Sequence, residues 1–141
     1  MNDIMSGIKP NNVIRIPTGR NIEKLLRFWL EFLHPFHRLT NREMDVATAF
    51  LKKRYELYKD IPTNAELRDK ILMNEETQKE IREKCGLKVQ HLQVIKNKLK
   101  KNKFFIDNKI NPRLIPNIRE TEDSFQLLLL FELDSQYDAV Q

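Results

Sequence analysis

Residues 75–116 constrain the fold of this chain more than any other segment, because they carry an unbroken series of local structural signals. A helix is predicted over 75–85 and a second over 88–102, with Gly86 between them. A glycine at that point allows the left-handed backbone that commonly ends a helix. Two helices joined by a tight turn are therefore expected here.

A short hairpin is predicted directly after the second helix. It covers Phe104–Ile110 and turns at Asp107-Asn108. Helix, tight turn, helix and hairpin is the order of elements in a winged helix-turn-helix. The predicted fold class is therefore mainly α with a small β hairpin or sheet, a winged helix-turn-helix carrying N- and C-terminal arms.

The length and composition fit one helical domain with extensions. The chain has 141 residues, 40% of them apolar and 32% charged, with only 3 glycines. This profile is typical of a helical globular protein and is unlike that of a disordered chain. We predict an N-terminal arm over 1–19, a helical winged helix-turn-helix domain over 20–118, and an acidic C-terminal strand and tail over 119–141.

Three further helices are predicted over 22–34, 41–58 and 64–73. Asn21 is a candidate N-cap for the first, and Thr40 with Glu43 has the spacing of a capping box for the second. Met44, Val46, Ala47, Phe50, Leu51 and Tyr55 are expected to form the inward side of the second helix, and Trp29 is expected in the core or at a subunit interface.

Two segments outside the helices are candidate strands. Residues 13–16, VIRI, are short and precede a Pro-Thr-Gly turn. Residues 124–133, SFQLLLLFEL, form a compact apolar run bounded by acidic residues, which predicts a buried strand, although run length alone also permits a helix.

The charge is distributed unevenly along the chain. The formal net charge is +5, but residues 79–103 hold nine Lys or Arg against two Glu, a local charge of +7. Residues 119–141 hold one Arg against six acidic residues, a local charge of −5. The basic part suits phosphate groups, and the acidic part suits a basic surface on the same or a neighbouring molecule. This polarity fits head-to-tail assembly as well as DNA binding.

The helix over 88–102 has one apolar and one polar face. Leu92, Ile95 and Leu99 are expected to face the core, which turns the other side toward solvent or a DNA groove. Glutamine can read adenine in the major groove, and lysine can contact guanine or phosphate. The candidate DNA-binding residues are Lys88, Gln90, His91, Val94, Lys98, Lys100, Lys101, Lys109 and Arg113, with Lys96 and Lys103 beside them.

Other readings of this basic face stay open. A basic face on an amphipathic helix is often only solvated surface, and winged helices also serve as protein-interaction modules. The fold therefore does not decide between a DNA-binding and a structural use of the same helix.

The sequence predicts neither an enzyme nor a cofactor or metal site. His34 and His37 lack further ligands nearby and are expected to be capping or surface residues. The lone Cys85 has no evident base and is expected on the inner face of its helix. No apolar run approaches the roughly 20 residues that cross a bilayer, and no signal peptide is visible. No membrane partner is expected, and the chain is predicted to be soluble and intracellular.

Two stretches resemble known families. Residues 36–51, FHRLTNREMDVATAFL, are similar to the opening of response-regulator and sigma-type helix-turn-helix domains, in which L-T-x-R-E starts the first helix. Residues 103–116, KFFIDNKINPRLIP, resemble the wing of plasmid and phage winged-helix proteins, in which an N-P dipeptide closes the second wing strand. Residues 28–118 together resemble a small protein carried by crAss-like tailed phages of gut Bacteroidales hosts.

The resemblance implies a phage protein of one of two kinds, located in the virion or the host cytoplasm. The first is a non-enzymatic structural protein of the virion, a ring or connector component at the head-to-tail junction. Its expected partners are copies of itself and other virion proteins, and the charge polarity and the apolar run at 124–133 favour it. The alternative is a DNA-binding protein, either a phage transcription regulator or a small packaging-terminase subunit, whose partner is double-stranded DNA.

Overall fold

The structure, a computed structural model, describes residues 13–134 and is mainly helical in that range. The helices are α1 Ile22–Phe32, α2 His34–His37, α3 Asn41–Asp60, α4 Ala65–Leu72, α5 Glu75–Cys85 and α6 Val89–Lys101. One antiparallel hairpin follows, made of β1 Phe105–Ile106 and β2 Lys109–Ile110, and then a 3-10 turn at Pro112–Leu114. A mainly helical fold with a small hairpin is therefore confirmed. None of the helices described is long and apolar enough to cross a membrane.

Short polar side chains set where four of the helices begin. Asn21, Thr40, Asn64 and Asn74 each accept a hydrogen bond from the backbone N–H three residues further on, at distances of 2.8–3.2 Å. Glu43 returns the bond, because its carboxylate accepts from the backbone N–H of Thr40 at 3.0 Å and completes the expected capping box. Each such cap is worth about 1 kcal/mol, so the helix starts are fixed locally.

Helix α3 is the centre of the domain, and α1, α4, α5 and α6 all pack against it. The residues expected on its inward side are buried, apart from Tyr55, which is only half-buried. Thr48, Ala49 and Leu57 are buried as well, which the prediction did not include. The ring of Phe50 meets the ring of Phe105 edge-on at 5.0 Å between centroids, which ties the hairpin to α3. Phe104 and Leu99 are completely buried in the same core.

The end of α1 differs from the prediction of one helix over 22–34. The helix ends at Phe32, and the short helix α2 takes Pro35 into its first turn, where a missing N–H costs nothing. His34 is exposed, as expected of a surface histidine, but His37 is only 2% exposed. Its Nδ1 accepts the backbone N–H of Leu39 at 2.9 Å, and its Nε2 lies 2.6 Å from the carbonyl of Leu30. Because Nδ1 accepts a hydrogen bond, the ring proton is assigned to Nε2, which donates to the Leu30 carbonyl. Burial lowers the pKa of His37.

The prediction of a buried strand over 124–133 was wrong. Across the described residues the only strand pairing is β1 with β2, and 124–133 forms no regular element. The large apolar side chains from Leu127 to Leu133 are 40–95% exposed. An apolar run becomes a buried strand only where another strand and a covering layer receive it, and this part of the chain meets neither.

The candidate strand at 13–16 is also absent, and its side chains are exposed, Ile14 by 83%. Both described parts of the predicted arms, 13–19 and 119–134, therefore lie outside the regular helices and strands, apart from turns. The rest of the predicted arms, residues 1–12 and 135–141, lies outside the described residues.

The chain after the hairpin is attached to α1 near its one tryptophan. The indole N–H of Trp29 donates to the carbonyl of Leu114 at 2.9 Å, and the ring of Phe125 meets the Trp29 ring edge-on at 5.6 Å. Two exposed ion pairs add to this attachment, Lys59–Glu120 at 2.7 Å and Arg20–Asp123 at 3.2 Å. Residues 114–125 are thus held on the helical domain, while the apolar side chains beyond them are exposed.

Candidate nucleic-acid interface

The turn between α5 and α6 sets the direction in which α6 leaves the core. Gly86 has φ 66°, in the left-handed region, and the N–H of Leu87 bonds to the carbonyl of Arg82 at 2.8 Å. This is the hydrogen-bonding pattern of a Schellman helix end. Arg42 of α3 also donates to the carbonyl of Cys85 at 2.7 Å, so the end of α5 is fixed from two sides.

Helix α6 lays one face on the core and leaves the other in solvent. Leu92 and Leu99 are buried as expected, and Ile95 is half-buried at the edge of the contact. Gln90, Val94, Lys98 and Lys101 follow one another at spacings of four, four and three, so they form a single exposed row. This row, together with its neighbours His91 and Asn97, is the outer face of α6.

The nine predicted DNA-binding residues are all exposed, but they do not form one cluster. Six lie on α6 and one, Lys88, stands at its N-cap. Lys100 lies beside the hairpin and lines a shallow groove with Phe105 and Asn108. Lys109 faces α4 instead, across a second groove, with its ammonium 4.0 Å from the carboxylate of Asp69. Arg113 lies in the 3-10 turn after the hairpin.

The positive charges around α6 are not neutralised by nearby acids. Residues 84–106 contain seven lysines and no acidic residue. In the described part of the chain, no ion pair involves Lys88, Lys98, Lys100 or Lys101, whereas six other lysines pair with a carboxylate. An uncompensated group of like charges produces a positive potential that attracts polyanions.

Lys96 was expected on the open side of α6, and that expectation was wrong. It is only 8% exposed, and its ammonium donates to the side-chain oxygen of Gln78 on α5 at 2.9 Å. Desolvation lowers the pKa of Lys96. A long lysine stem can cover apolar surface while its end reaches a polar partner, which helix periodicity does not reveal. Lys96 therefore joins α5 to α6 and is not part of the outer face.

The two ends of α6 suggest different uses of its lysines. Lys98, Lys100 and Lys101 lie in the last turn, where a cation stabilises the helix dipole by about 0.3–1 kcal/mol each, so they have a structural use as well. Lys88 has no such structural use. Its positive charge at the helix N-terminus opposes the dipole, and its side chain makes no capping bond. An anion that binds at this end would be stabilised both by the charge of Lys88 and by the positive end of the helix dipole.

The hairpin is built from a two-residue turn. Asp107 and Asn108 have φ 53° and 61°, as in a type I′ turn, and the strands pair Phe105 with Ile110. The N–H of Asn111 bonds to the carbonyl of Phe104 at 2.7 Å, so the pairing reaches the predicted limits of the hairpin. Ile106 and Lys109 occupy its exposed face.

Asn97 is one outer-face residue that the sequence prediction did not include. It lies four residues before Lys101 and accepts a hydrogen bond from the side chain of Gln93 at 3.1 Å. Its spacing from Gln90 and Lys101 would have placed it on the same row. An amide beside lysines adds hydrogen-bonding capacity to a face otherwise dominated by charge.

The remaining reactive groups give no second site in the described residues. Cys85 is half-buried, and desolvation raises the pKa of its thiol, which keeps it protonated and a poor nucleophile. Within 13–134 no three His, Cys, Asp or Glu side chains come together in a way that could hold a metal ion.

Comparison of the chain with protein-family models, with curated proteins and with solved structures finds no match in any of the three.

Proposed function

We propose that this chain is a winged helix-turn-helix protein that binds double-stranded DNA through the outer face of α6. In this assignment α5, the turn at Gly86 and α6 are the helix-turn-helix, and the hairpin is the wing. The observation that carries the proposal is that this face is exposed and lysine-rich, and that none of its lysines pairs with a carboxylate in residues 13–134.

The geometry of α6 is compatible with entry into the major groove. A helix with its side chains is about 10–12 Å across, and the major groove of B-DNA is about 12 Å wide. The opposite side of α6 is fixed by Leu92 and Leu99, so docking requires no rearrangement of the core. Gln90 and Asn97 supply amides that pair with adenine, and Val94 supplies an apolar contact for a thymine methyl group.

The lysines have two roles in this proposal. Lys98 and Lys101 lie on the row that faces the groove and contact guanine or phosphate. Lys88 and Lys100 flank the row and neutralise phosphates, and His91 beside the row can donate a hydrogen bond to one. Arg113, in the turn after the hairpin, is proposed as a further phosphate contact. Lys109 contributes less than the others, because Asp69 stands beside it. The proposed contexts are a phage transcription regulator or a small packaging-terminase subunit.

A titration with duplex DNA at two salt concentrations tests this function. Lys98→Gln and Lys101→Gln should each weaken binding and reduce the salt dependence by about one released counterion, as expected for a lost phosphate contact. Lys24→Gln is the matched control, since Lys24 is an exposed lysine on α1, away from α6. Affinity and salt dependence unchanged in both α6 variants would exclude DNA binding through this face.

A second candidate function is supported by a different part of the molecule. The exposed apolar side chains from Leu127 to Leu133 favour a protein that is covered by neighbours, such as a ring or connector component at a phage head-to-tail junction. Mass spectrometry of purified phage particles tests this directly. A virion component should be present in many copies per particle, and its absence would exclude the structural role without affecting the DNA-binding proposal.

A further inference from the structure

Residues 127–133 expose a nearly continuous run of large apolar side chains. Leu127, Leu128, Leu129 and Leu130 are 40–74% exposed, Phe131 is 87% exposed and Leu133 is 95% exposed. Large contiguous apolar surface on a soluble protein usually marks an interaction site. We call residues 127–133 the apolar tail.

The apolar tail starts from a fixed point on the molecule. Phe125 packs on Trp29 of α1. Asp123, two residues before Phe125, pairs with Arg20. Beyond Phe125, the large apolar side chains become more exposed toward Leu133 and join no buried cluster. The start of the tail is therefore anchored to the helical domain, but its apolar side chains are not buried within the same molecule.

The chemistry around the tail indicates what covers it. Acidic residues stand on both sides, Glu122 and Asp123 before it and Asp134 after it, and Glu132 lies within it. Glu122 and Asp123 form exposed ion pairs with Arg119 and Arg20, whereas Glu132 and Asp134 form none in residues 13–134. A binding surface that matches must offer apolar side chains together with cations. This combination excludes an acidic or purely polar surface as the receiver.

One surface of this same chain has that combination. On α6 and the hairpin, Val89, Val94 and Ile106 are 61%, 58% and 42% exposed. Val89 and Val94 lie on the exposed side of α6, which also carries Lys98, Lys100 and Lys101 and follows Lys88, and Ile106 is paired with Lys109 on the hairpin. We call this the basic surface. Its exposed apolar residues and its lysines complement the apolar and acidic residues of the tail.

We propose that the apolar tail of one copy binds the basic surface of a second copy. The two patches are different surfaces of the molecule, so the contact is heterologous and every copy offers one tail and one receiver. Repetition of such a contact gives a ring if the rotation closes and a filament if it does not. Apolar burial supplies affinity, and the charged residues fix the register and make assembly sensitive to salt.

The contact also has a consequence for DNA binding, because the basic surface includes the outer face of α6. DNA and the tail of a neighbour compete for it, so duplex DNA should dissociate the assembly. The inference goes beyond both proposed functions, since binding between copies is measured in the absence of DNA and phage particles.

Two variants that each lack one half of the contact provide the decisive test. Leu130→Ser plus Phe131→Ser disables the tail and leaves the receiver intact, whereas Lys98→Glu plus Lys101→Glu disables the receiver and leaves the tail intact. Analytical ultracentrifugation should show each variant as a monomer at concentrations where the unchanged full chain assembles. An equimolar mixture should form a one-to-one dimer, because only one productive contact can form.

Control variants separate the contact from general effects on folding. Leu67→Ser and Lys24→Glu change an exposed leucine and an exposed lysine elsewhere and should leave assembly intact. Circular dichroism checks the helix content of each variant. Negative charge in the last turn of α6 opposes the helix dipole, so the Lys98→Glu plus Lys101→Glu variant could lose helix. If it does, Lys98→Gln plus Lys101→Gln takes its place.

Three outcomes would overturn the proposal. The unchanged chain stays monomeric at all concentrations, the two variants fail to pair when mixed, or the receiver variant still dimerises by itself through contact between two tails. Loss of DNA binding in the lysine variants bears on the proposed function instead, so the two failures are distinguishable.

Discussion

The α6–hairpin region, residues 89–110, and the segment that ends in the apolar tail, residues 117–134, are both rich in apolar residues, yet the fold depends on them very differently. The first places Leu92, Leu99 and Phe104 in the core, each at most 1% exposed. The second contributes two residues to the edge of that core, the half-buried Ile118 and Phe125, together with exposed ion pairs. Apolar content alone therefore does not show which segment holds a domain together.

Magnitudes make the difference concrete. Full burial of a leucine or phenylalanine side chain contributes about 1.5–3 kcal/mol. An exposed ion pair such as Lys59–Glu120 is screened by solvent and contributes much less. The α6–hairpin region therefore stabilises the domain and presents a rigid outer face. The apolar tail adds little to folding, which leaves its apolar surface available to a partner.

A pair of leucine truncations offers the strongest test of this contrast. Leu99→Ala removes a completely buried side chain, and we expect it to lower the free energy of unfolding by about 2–5 kcal/mol. Leu130→Ala makes the same chemical change in the apolar tail and should alter it by less than about 0.5 kcal/mol. Urea unfolding followed by circular dichroism, at a concentration where the chain is monomeric, gives both values. Equal losses would show that the tail is packed within its own copy.

The same contrast explains how far the sequence predicted the fold. For α5, α6 and the hairpin, the deciding signals lie within a few residues of what they determine: Asn74 caps α5, Gly86 ends it, and Asp107-Asn108 forms the turn. The buried-strand prediction for 124–133 rested on its apolar composition. Apolar composition indicates that a segment is stabilised by burial, but it does not identify the surface that buries it. The surface that could cover such a run depends on parts of the molecule far away in sequence, so no local signal specifies it.

The candidate interface was predictable to a similar extent. Helix periodicity from Leu92 and Leu99 was enough to place the outer face of α6, and all nine residues chosen are exposed. It was not enough for Lys96, whose long side chain reaches Gln78 on another helix. It also did not show that Lys109 faces Asp69, because that contact depends on how the hairpin sits against α4.

The dependence of stability on pH gives a second, smaller test of the contrast between the helical domain and the tail. Burial holds the pKa of His37 below its unfolded value of 6.5, so the unfolded state binds the proton more readily. Stability should be complete above about pH 6.5 and fall as the pH drops below it, by at most about 1.4 kcal/mol per pH unit for one proton.

Variants of two neighbouring histidines assign this effect. His37→Gln should be less stable at neutral pH but should lose the part of the pH dependence due to His37. His34→Gln, an exposed change on the same short helix, should keep it. Urea unfolding of each protein between pH 5 and 7.5 is the measurement. An unchanged pH profile in His37→Gln would contradict this assignment and place the titrating group elsewhere in the chain.

The smallest expected effect concerns the ends of α5 and α6, which have similar left-handed residues of different type. Gly86 has φ 66° and Lys103 has φ 62°, and a Schellman-type bond follows in both cases, for Lys103 from the N–H of Phe104 to the carbonyl of Leu99 at 2.8 Å. Since a side chain makes this backbone costly, Gly86→Ala should lower the free energy of unfolding by about 1 kcal/mol, and Lys103→Gly should raise it by about 0.5–1 kcal/mol. Thermal unfolding of the two variants measures both changes. A loss of stability in Lys103→Gly would mean that the lysine side chain itself helps to hold α6 against the hairpin, and that the α6–hairpin region depends on more than its buried residues.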